Sequence, residues 1–280
     1  MIRSLLYVPG SAERFIAKAH LRGADAIVVD LEDAVAPNEK LGARQALGTV
    51  IPRVGQNGAK VFVRINNQPD LLLADAAAAC QAGAYGLYVP KVSSVELLHR
   101  LDAALAPIES ALSRPPMVFV PLLEDAQGVL AAQSIAQGPR VFALSAGGED
   151  LATSMGAEPT PEVLRLPKLM VHMAAKAAGL RSFGLLRTVA DYQDLEPLAA
   201  AIKEARVFGF DGATCIHPSV VPALNAGFAP SKGELARAQR IVEAAQKAEQ
   251  EGIGAFTFEG AFVDAPIVAR ARDLLSRFAP

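Results

Sequence analysis

The stretch AGAYGLYVPK, residues 82–91, joins a glycine at a predicted helix end to a short apolar strand. The same arrangement returns in RGADAIVVD (22–30) and in FGFDGATCIHP (208–218). Glycine tolerates the left-handed conformation that commonly ends a helix, and a short loop then leads into the next strand. The recurrence indicates a repeated helix–loop–strand unit whose strands run parallel.

Eight short apolar segments are strand candidates, and they show little alternation with polar residues. Such segments are typical of strands covered on both faces. The candidates are SLLYVP (4–9), AIVVDL (26–31), KVFVRI (60–65), GLYVPK (86–91), MVFVPL (117–122), VFALSA (141–146), SFGLL (182–186) and GATCI (212–216). Eight strands with helices between them predict an α/β fold, the closed (β/α)8 TIM barrel. A doubly wound open sheet is the alternative, although VPGSAE after the first strand does not fit the GxGxxG dinucleotide-binding pattern.

The last 50 or so residues exceed what eight barrel units need. A turn-like stretch at 227–230 precedes a helix, an extended piece AFTFEGAFV and a further helix that begins near Asp264. We therefore expect a catalytic barrel over residues 1–228. We expect residues 229–280 to form a C-terminal helical extension that contacts the neighbouring subunit.

Local sequence also predicts where three helices begin. Ser93 with Glu96, and Ser231 with Glu234, have the spacing of capping boxes. Thr160 followed by proline has the pattern of an N-cap and first-turn residue.

The composition excludes several functional classes. The 280-residue chain has a net charge of −2 and neither a basic run nor an acidic tail, so nucleic acid is not an expected partner. The two cysteines, Cys80 and Cys215, provide neither a disulfide framework nor a CxxC metal pair. The N-terminus has the pattern of neither a signal peptide nor a membrane span. We expect a cytoplasmic, soluble protein without a membrane partner.

Charged residues follow most of the predicted strands, at the end where barrel active sites lie. The series is Asp30, Glu32 and Asp33 after the second strand, Arg64 after the third, Lys91 after the fourth, Glu124 and Asp125 after the fifth, Glu149 and Asp150 after the sixth, and His217 after the eighth. Carboxylates gathered at one mouth would repel one another unless a cation were bound there. Oxygen ligands favour Mg²⁺ or Mn²⁺ over Zn²⁺. Glu124 and Asp150 are the best pair, because each lies just past a strand with small residues or glycine nearby.

Structural interpretations are open for individual residues of this series. A single aspartate at a strand end is more often a helix N-cap than a ligand. Arg64 could equally form an ion pair with Asp30 or Glu32. Lys91 is better explained as a partner for these carboxylates than as a Schiff-base nucleophile. A site role and a structural role fit His217 equally well.

The ordered motifs resemble the citrate lyase β-subunit-like branch of the HpcH/HpaI aldolase superfamily. They are RSLLYVPG (3–10), ADAIVVDLEDAVAPNEK (24–40), VFVRIN (61–66), GLYVPKV (86–92), LLEDAQGV (122–129), GGEDLA (147–152), GFDGATCIHPSVV (209–221) and VDAPIV (263–268). The match runs nearly from end to end, and this order of motifs is specific to the family.

The resemblance implies a barrel that assembles as a homotrimer or hexamer, with the C-terminal segment reaching the neighbouring subunit. It implies that Glu124 and Asp150 bind Mg²⁺, with Mn²⁺ as the other candidate. Substrate binding would fall to Arg64, Glu124 and Gly148, and Arg64 would also contact the thioester or enolate oxygen. Asp264 would be the catalytic acid/base, donated to the adjacent active site.

The resemblance also implies a coenzyme A channel and residues that support the metal. The channel would be lined by Tyr7, Arg14, Lys18, Ile216 and His217. Asp30 and Glu32 would hold water that is bound to the metal.

The implied reaction cleaves a β-hydroxyacyl-CoA, of the citramalyl-CoA or malyl-CoA type, into acetyl-CoA and a 2-keto acid. Its reverse is a Claisen-type condensation. The alternatives are the β subunit of an acyl-carrier-protein-dependent citrate lyase, a thioesterase acting on malyl-CoA, and a non-catalytic ligand-binding relative. Two departures from the family pattern bear on the substrate rather than on the chemistry: Asp125 stands where threonine is common, and Ser145 stands where a bulkier residue is frequent.

Overall fold

The computed structural model describes residues 1–188 and 194–278. The chain divides into two compact units, one spanning residues 2–228 and the other beginning at Ala229. The first unit contains all eight predicted strands, and the second contains two helices and a hairpin.

The strands of the first unit are short and form a single parallel series. They are β1 (Ser4–Pro9), β2 (Ala26–Asp30), β3 (Lys60–Arg64), β4 (Gly86–Val89), β5 (Val118–Leu123), β6 (Ala143–Ala146), β7 (Arg181–Phe183) and β8 (Ala213–Cys215). Their order is β7-β6-β5-β4-β3-β2-β1-β8, so each strand lies beside its neighbours in sequence. The eight predicted segments are therefore confirmed as strands.

The series closes into a ring between β7 and β8. Phe183 forms a parallel bridge with Gly212. The Gly184 N–H donates to the Gly212 carbonyl at 2.9 Å, and the Asp211 N–H donates to the Ser182 carbonyl at 2.9 Å. Closure confirms the (β/α)8 barrel and excludes the doubly wound open sheet.

Helices follow the strands around the outside of the barrel. Those of the first unit are α1 (Glu13–Ala19), α2 (Lys40–Val54), α3 (Pro69–Ala82), α4 (Glu96–Ala111), α5 (Ala126–Leu130), α6 (Ala132–Ala136), α7 (Gly148–Ser154), α8 (Pro161–Ala177), α9 (Leu195–Phe208) and α10 (Val221–Phe228). In the part of the chain that the structure describes, none of the helices has the length and apolar character needed to cross a bilayer.

The glycines that punctuate the repeated unit have the predicted backbone conformation. Gly23, Gly83 and Gly209 have φ angles of 69°, 92° and 94°, and each ends a helix. A residue with a Cβ is strained at such angles, so glycine is favoured at each end. The chain then turns directly into β2, β4 and β8.

Both faces of the barrel strands are buried, which explains their nearly continuous apolar sequence. Alternate residues such as Leu5, Val28, Phe62, Tyr88 and Val120 form the cluster that fills the interior. The intervening residues pack against the helices in a second, larger cluster. The interior is filled, so the functional space lies beyond it, at the carboxyl ends of the strands.

The second unit has its own small core. It consists of α11 (Lys232–Gln250), a hairpin of β9 (Phe256–Phe258) and β10 (Ala261–Val263), and α12 (Ala265–Phe278). The predicted capping box opens α11: Ser231 Oγ accepts from the Glu234 N–H, and Glu234 Oε2 accepts from the Ser231 N–H. The contact of this unit with a neighbouring subunit stays a prediction.

Candidate active site

A cavity of about 400 Å³ lies at the carboxyl ends of the barrel strands. Its walls include the last residues of β1, β2 and β3, together with the loop that follows β6. Seven predicted site residues line it, namely Tyr7, Asp30, Arg64, Glu124, Gly148, Asp150 and Ile216. The barrel therefore brings together residues that lie more than 200 positions apart in sequence.

Arg64 is held at the cavity wall by a bidentate ion pair with Asp30. Its Nε and Nη2 atoms donate to the two carboxylate oxygens of Asp30, at 2.7 and 2.5 Å. Asp30 also accepts the backbone N–H groups of Glu32 and Ala34, at 2.9 and 3.2 Å. Burial opposes the charge on Arg64, but the hydrogen bonds to Asp30 and the neighbouring negative charges together outweigh it and raise the guanidinium pKa. The guanidinium is thus rigidly placed and fully charged.

Glu32 lies between two cations. Its Oε1 is 3.1 Å from Lys91 Nζ, and its Oε2 is 3.1 Å from Arg64 Nη1. The Arg64 contact lacks hydrogen-bond alignment, so among the described residues Oε2 is a buried acceptor without a hydrogen-bond partner. Burial raises the pKa of Glu32 in spite of both cations. Lys91 is confirmed as a structural partner, and the link from Asp30 and Glu32 to metal-bound water stays a prediction.

Glu124 is a buried carboxylate at the end of β5, with 5% of its surface exposed. Its Oε2 accepts the N–H of Lys91 at 3.0 Å, from a backbone held at a φ of 54°. A Cβ on Gly147 would fall 2.5 Å from Oε1, so only glycine leaves room for this carboxylate. Burial, followed by the charges of Glu32 and Asp150, raises the pKa of Glu124 to about 8.

Asp125, the residue that departs from the family pattern, is used structurally. Its Oδ1 accepts the Gly128 N–H at 2.6 Å and caps α5, and its Oδ2 accepts the Ser93 hydroxyl at 2.5 Å. The predicted capping box of Ser93 and Glu96 is therefore wrong, because Ser93 is committed to Asp125 and α4 begins without a side-chain cap. The extra carboxylate of Asp125 therefore caps a helix, and Asp125 does not line the cavity.

The pair of Glu124 and Asp150 has the chemistry of a Mg²⁺ site. Asp150 lies exposed in the first turn of α7, lines the same cavity and raises the pKa of Glu124 through its charge. Among the described residues, no group of three or more His, Cys, Asp or Glu side chains is arranged to hold a metal. Two carboxylates are enough for Mg²⁺, which keeps water and substrate as its other ligands. A divalent cation would also offset the repulsion between the two carboxylates, so the donor set fits.

The residues predicted for coenzyme A divide into two groups. Tyr7 lies under Arg64, with the guanidinium carbon 5.0 Å from the centre of its ring, and Ile216 lines the cavity with 48% of its surface exposed. Arg14 and Lys18 are exposed on α1 and do not line the cavity. His217 caps the turn at 218–220 through its Nδ1, which accepts from the backbone of residue 219. The coenzyme A role of all five stays a prediction.

Lys168 lines the cavity and was not among the predicted site residues. It belongs to α8, where it shares a buried face with Leu164, Val171 and Ala175. The sequence signal that could have identified it is a lysine at a position where the helical periodicity calls for an apolar residue.

Asp264 belongs to the second unit. Its backbone carbonyl accepts hydrogen bonds from N–H groups in the first turn of α12, and its catalytic role stays a prediction.

Comparison with known proteins agrees with this architecture. The HpcH/HpaI aldolase/citrate lyase family model matches residues 3–218. A (3S)-malyl-CoA thioesterase from Cereibacter sphaeroides is 35% identical over 98% of this chain and 94% of its own length. The citrate lyase β subunit of Haemophilus influenzae is 32% identical over 98% of this chain and 96% of its own length.

A solved structure shares the whole architecture. The protein CitE from Mycobacterium tuberculosis, in complex with magnesium, acetoacetate and coenzyme A, superposes with a TM-score of 0.80. It is 29% identical in sequence, and the match covers 99% of this chain and 98% of that one. The motifs, the closed barrel and these relatives together show that this chain belongs to the HpcH/HpaI aldolase/citrate lyase family.

Proposed function

We propose that this protein is a Mg²⁺-dependent lyase that cleaves a β-hydroxyacyl-CoA, of the citramalyl-CoA or malyl-CoA type, into acetyl-CoA and a 2-oxo acid. The observation that carries the proposal is the single cavity lined by Glu124, Asp150 and Arg64. The mycobacterial CitE complex contains magnesium and coenzyme A, which are the metal and the thioester carrier that such a reaction requires, and this supports the proposal.

Glu124 and Asp150 would hold the metal, and the chemistry that Mg²⁺ supplies when bound is Lewis-acid activation of the substrate hydroxyl. The substrate hydroxyl gives its proton to solvent water, and its oxygen forms the carbonyl of the 2-oxo acid as the Cα–Cβ bond breaks. The electron pair of the broken bond passes to the thioester, which becomes an enolate. Arg64 stabilises the resulting enolate charge, in the manner of an oxyanion hole. A guanidinium has five N–H donors, and bonds to Asp30 and Asp33 use three of them, so two are left for the substrate.

Asp264 of a neighbouring subunit protonates the enolate carbon in this proposal. Hybrid oligomers test that arrangement, because Asp264→Asn and Glu124→Gln protomers are each inactive alone. Mixed and reassembled, they regain activity if the aspartate acts across a subunit boundary. Asp273→Asn, in helix α12, which follows Asp264 directly, is the control, and we expect it to keep full activity. A hybrid that stays inactive would refute the shared site.

The reaction is tested with purified protein, Mg²⁺ and three thioesters: citramalyl-CoA, malyl-CoA and citryl-CoA. Cleavage of the carbon–carbon bond yields acetyl-CoA and a 2-oxo acid and releases no thiol. A phenylhydrazine trap measures the oxo acid, and a thiol reagent measures free coenzyme A. Oxo acid without thiol supports the lyase, and the absence of oxo acid from all three thioesters would overturn it.

A thioesterase acting on malyl-CoA is the second candidate, because the Cereibacter relative carries that activity in its name. Its products are free coenzyme A and malate, so the thiol signal appears without oxo acid. The third candidate is the β subunit of a citrate lyase that uses an acyl carrier protein, suggested by the Haemophilus relative. That protein would cleave a citryl thioester only when it is attached to a carrier.

The metal assignment has a separate test. Glu124→Gln removes the charge and keeps the shape, so we expect Mg²⁺ binding to fall below detection in a calorimetric titration. Glu158→Gln, an exposed residue outside the cavity, is the control and should bind Mg²⁺ as the wild type does. Unchanged binding by Glu124→Gln would remove this residue from the site.

A further inference from the structure

Asp75 is a buried carboxylate outside the cavity that none of the steps above uses. It belongs to α3, and none of its surface is exposed. Its Oδ1 accepts from Nε of Arg44, in α2, at 2.5 Å. Its Oδ2 accepts both the backbone N–H and the side-chain amide of Asn66, at 3.0 and 2.7 Å. Because a buried carboxylate is stable only when it is paired and hydrogen-bonded, Arg44 and Asn66 are held firmly around it.

Asn66 connects Asp75 with the segment that follows β2. It is fully buried and lies two residues after Arg64, beyond the end of β3. Its amide nitrogen also donates to the carbonyl of Leu31 at 2.8 Å, and its amide oxygen accepts from Nζ of Lys40. The opposite orientation of the amide would place its oxygen against the acceptors of Asp75 and Leu31. The Asn66 side chain is therefore fixed in one orientation.

Leu31 is the residue between the two buried carboxylates that contact Arg64. Asp30 precedes it and Glu32 follows it, and both form ion pairs with the guanidinium. The Leu31 N–H donates to the Arg64 carbonyl at 2.9 Å, and the Leu31 carbonyl accepts from Asn66. Both backbone groups of this one residue thus hold the segment with the carboxylates against the segment with the guanidinium.

The direction of the Arg64 N–H groups that face the cavity depends on this contact. An oxyanion is stabilised by donors that are already in place, and a displacement of about 1 Å can cost about 10²-fold in rate. We propose that Asn66, held by Asp75, is a positioning residue that fixes the guanidinium of Arg64 for stabilisation of the enolate. This inference rests on the proposed function of the cavity, because it specifies what holds the group that stabilises the enolate.

Steady-state kinetics with the thioester that the wild type cleaves tests the assignment. Asn66→Ala removes the amide that holds the Leu31 carbonyl, so we expect kcat to fall by about 10- to 100-fold and KM to change less than about threefold. Asp75→Asn keeps the shape and weakens the charge-assisted bonds to Asn66, so we expect a smaller loss of about 3- to 10-fold in kcat. The second variant tests the assignment if Asn66→Ala does not fold.

Glu109→Gln is the matched control, because Glu109 has the same kind of contacts at the amino end of a barrel strand. Glu109 is a buried carboxylate of α4 that accepts from Arg140 Nη1 at 2.6 Å and from the N–H of Met117, just before β5, at 2.8 Å. We expect Glu109→Gln to lower the melting temperature about as much as Asp75→Asn does and to keep kcat within about twofold of the wild type. A loss of kcat in Asn66→Ala and Asp75→Asn no larger than that in Glu109→Gln would overturn the assignment.

Binding of two coenzyme A derivatives separates this assignment from the proposed reaction. S-Carboxymethyl-coenzyme A has a carboxylate where the enolate forms, and acetyl-CoA has an uncharged thioester there. In calorimetric titrations with Mg²⁺, we expect Asn66→Ala to bind the carboxymethyl derivative about 10- to 100-fold more weakly than the wild type and to bind acetyl-CoA within about threefold. An equal loss of both would overturn the assignment, because Asn66 would then only support the pocket. A selective loss, in a protein whose wild type cleaves none of the thioesters, would refute the lyase and leave the role of Asn66 intact.

Discussion

Gly147→Ala tests how Mg²⁺ binding depends on the position of the Glu124 carboxylate, because it moves that carboxylate without changing Glu124 itself. The backbone of Gly147 has φ −79° and ψ 115°, which alanine adopts without strain. The added Cβ would fall 2.5 Å from Oε1 of Glu124 and 2.7 Å from its Cγ. The substitution therefore acts through one steric contact with a residue whose own identity is unchanged.

The size of the effect follows from that contact. Carbon atoms approach other heavy atoms at about 3.5 Å, so the Glu124 carboxylate has to move by roughly 1 Å. Metal sites tolerate ligand displacements of about 0.2 Å, and disturbed ligand orientation typically lowers metal affinity by about 10- to 100-fold. Overpacking costs about 1–3 kcal/mol of stability, because Glu124 is buried and its neighbours must shift with it. We expect both losses together.

Calorimetric Mg²⁺ titration and urea denaturation measure the two effects on the same protein. Gly48→Ala is the matched control: Gly48 is an exposed helical position of α2 where an added Cβ meets nothing within 4 Å. That control should gain about 0.5–1 kcal/mol of stability and bind Mg²⁺ normally. Were Gly147→Ala to bind Mg²⁺ within twofold of the wild type, Glu124 would not be a metal ligand in the conformation described.

Three further predictions concern the free energy of unfolding. Gly86→Ala would place a Cβ 2.4 Å from the carbonyl oxygen of Val118, so the two strands must move apart. We expect urea denaturation to show a loss of about 1–3 kcal/mol in stability, and the folded protein should bind Mg²⁺ with normal affinity. Asp30→Asn should lower the free energy of unfolding by about 3–5 kcal/mol, because it leaves the buried Arg64 without its main counter-charge. A variant as stable as the wild type would contradict this role of Asp30. Lys168 has a pKa lowered from 10.5 to about 8 by burial, so the unfolded chain binds the extra proton between these values. The stability of the ligand-free wild type, measured relative to Lys168→Met, should therefore rise by about 3 kcal/mol between pH 8 and pH 10.5, and a flat difference would show that the ammonium is solvated.

The fold was predictable because each level of the sequence points to the same arrangement. The glycines at 23, 83 and 209 end helices with positive φ, and a strand follows each within four residues. Burial on both faces removes the polar alternation from the strands, so apolar runs identify them directly. The failed capping box at Ser93 shows the limit of local rules: Asp125, 32 positions later, competes for the same hydroxyl.

Seven of the predicted site residues line the cavity, but the sequence left open which charged side chains pair with one another. Strand ends converge in a barrel, so the position of Asp30 or Glu124 in the sequence is enough to place it at the mouth. The pairing of each carboxylate with a cation depends on the distances between them, and these distances are determined by the strand register and by the geometry of the loops. Asp30 pairs with Arg64 directly, and Asp125 turns away to cap a helix.

Lys168 shows why a residue can be missed by the same logic. It reaches the cavity from a helix rather than from a strand end, so a search of strand ends does not find it. A charged residue on the buried face of a helix contradicts the hydrophobic pattern and requires a compensating partner. The described residues provide carbonyl oxygens but no carboxylate for it. Such a conflict between local pattern and global packing is itself a signal of a functional or strained position, and it is visible in the sequence once the helix has been placed.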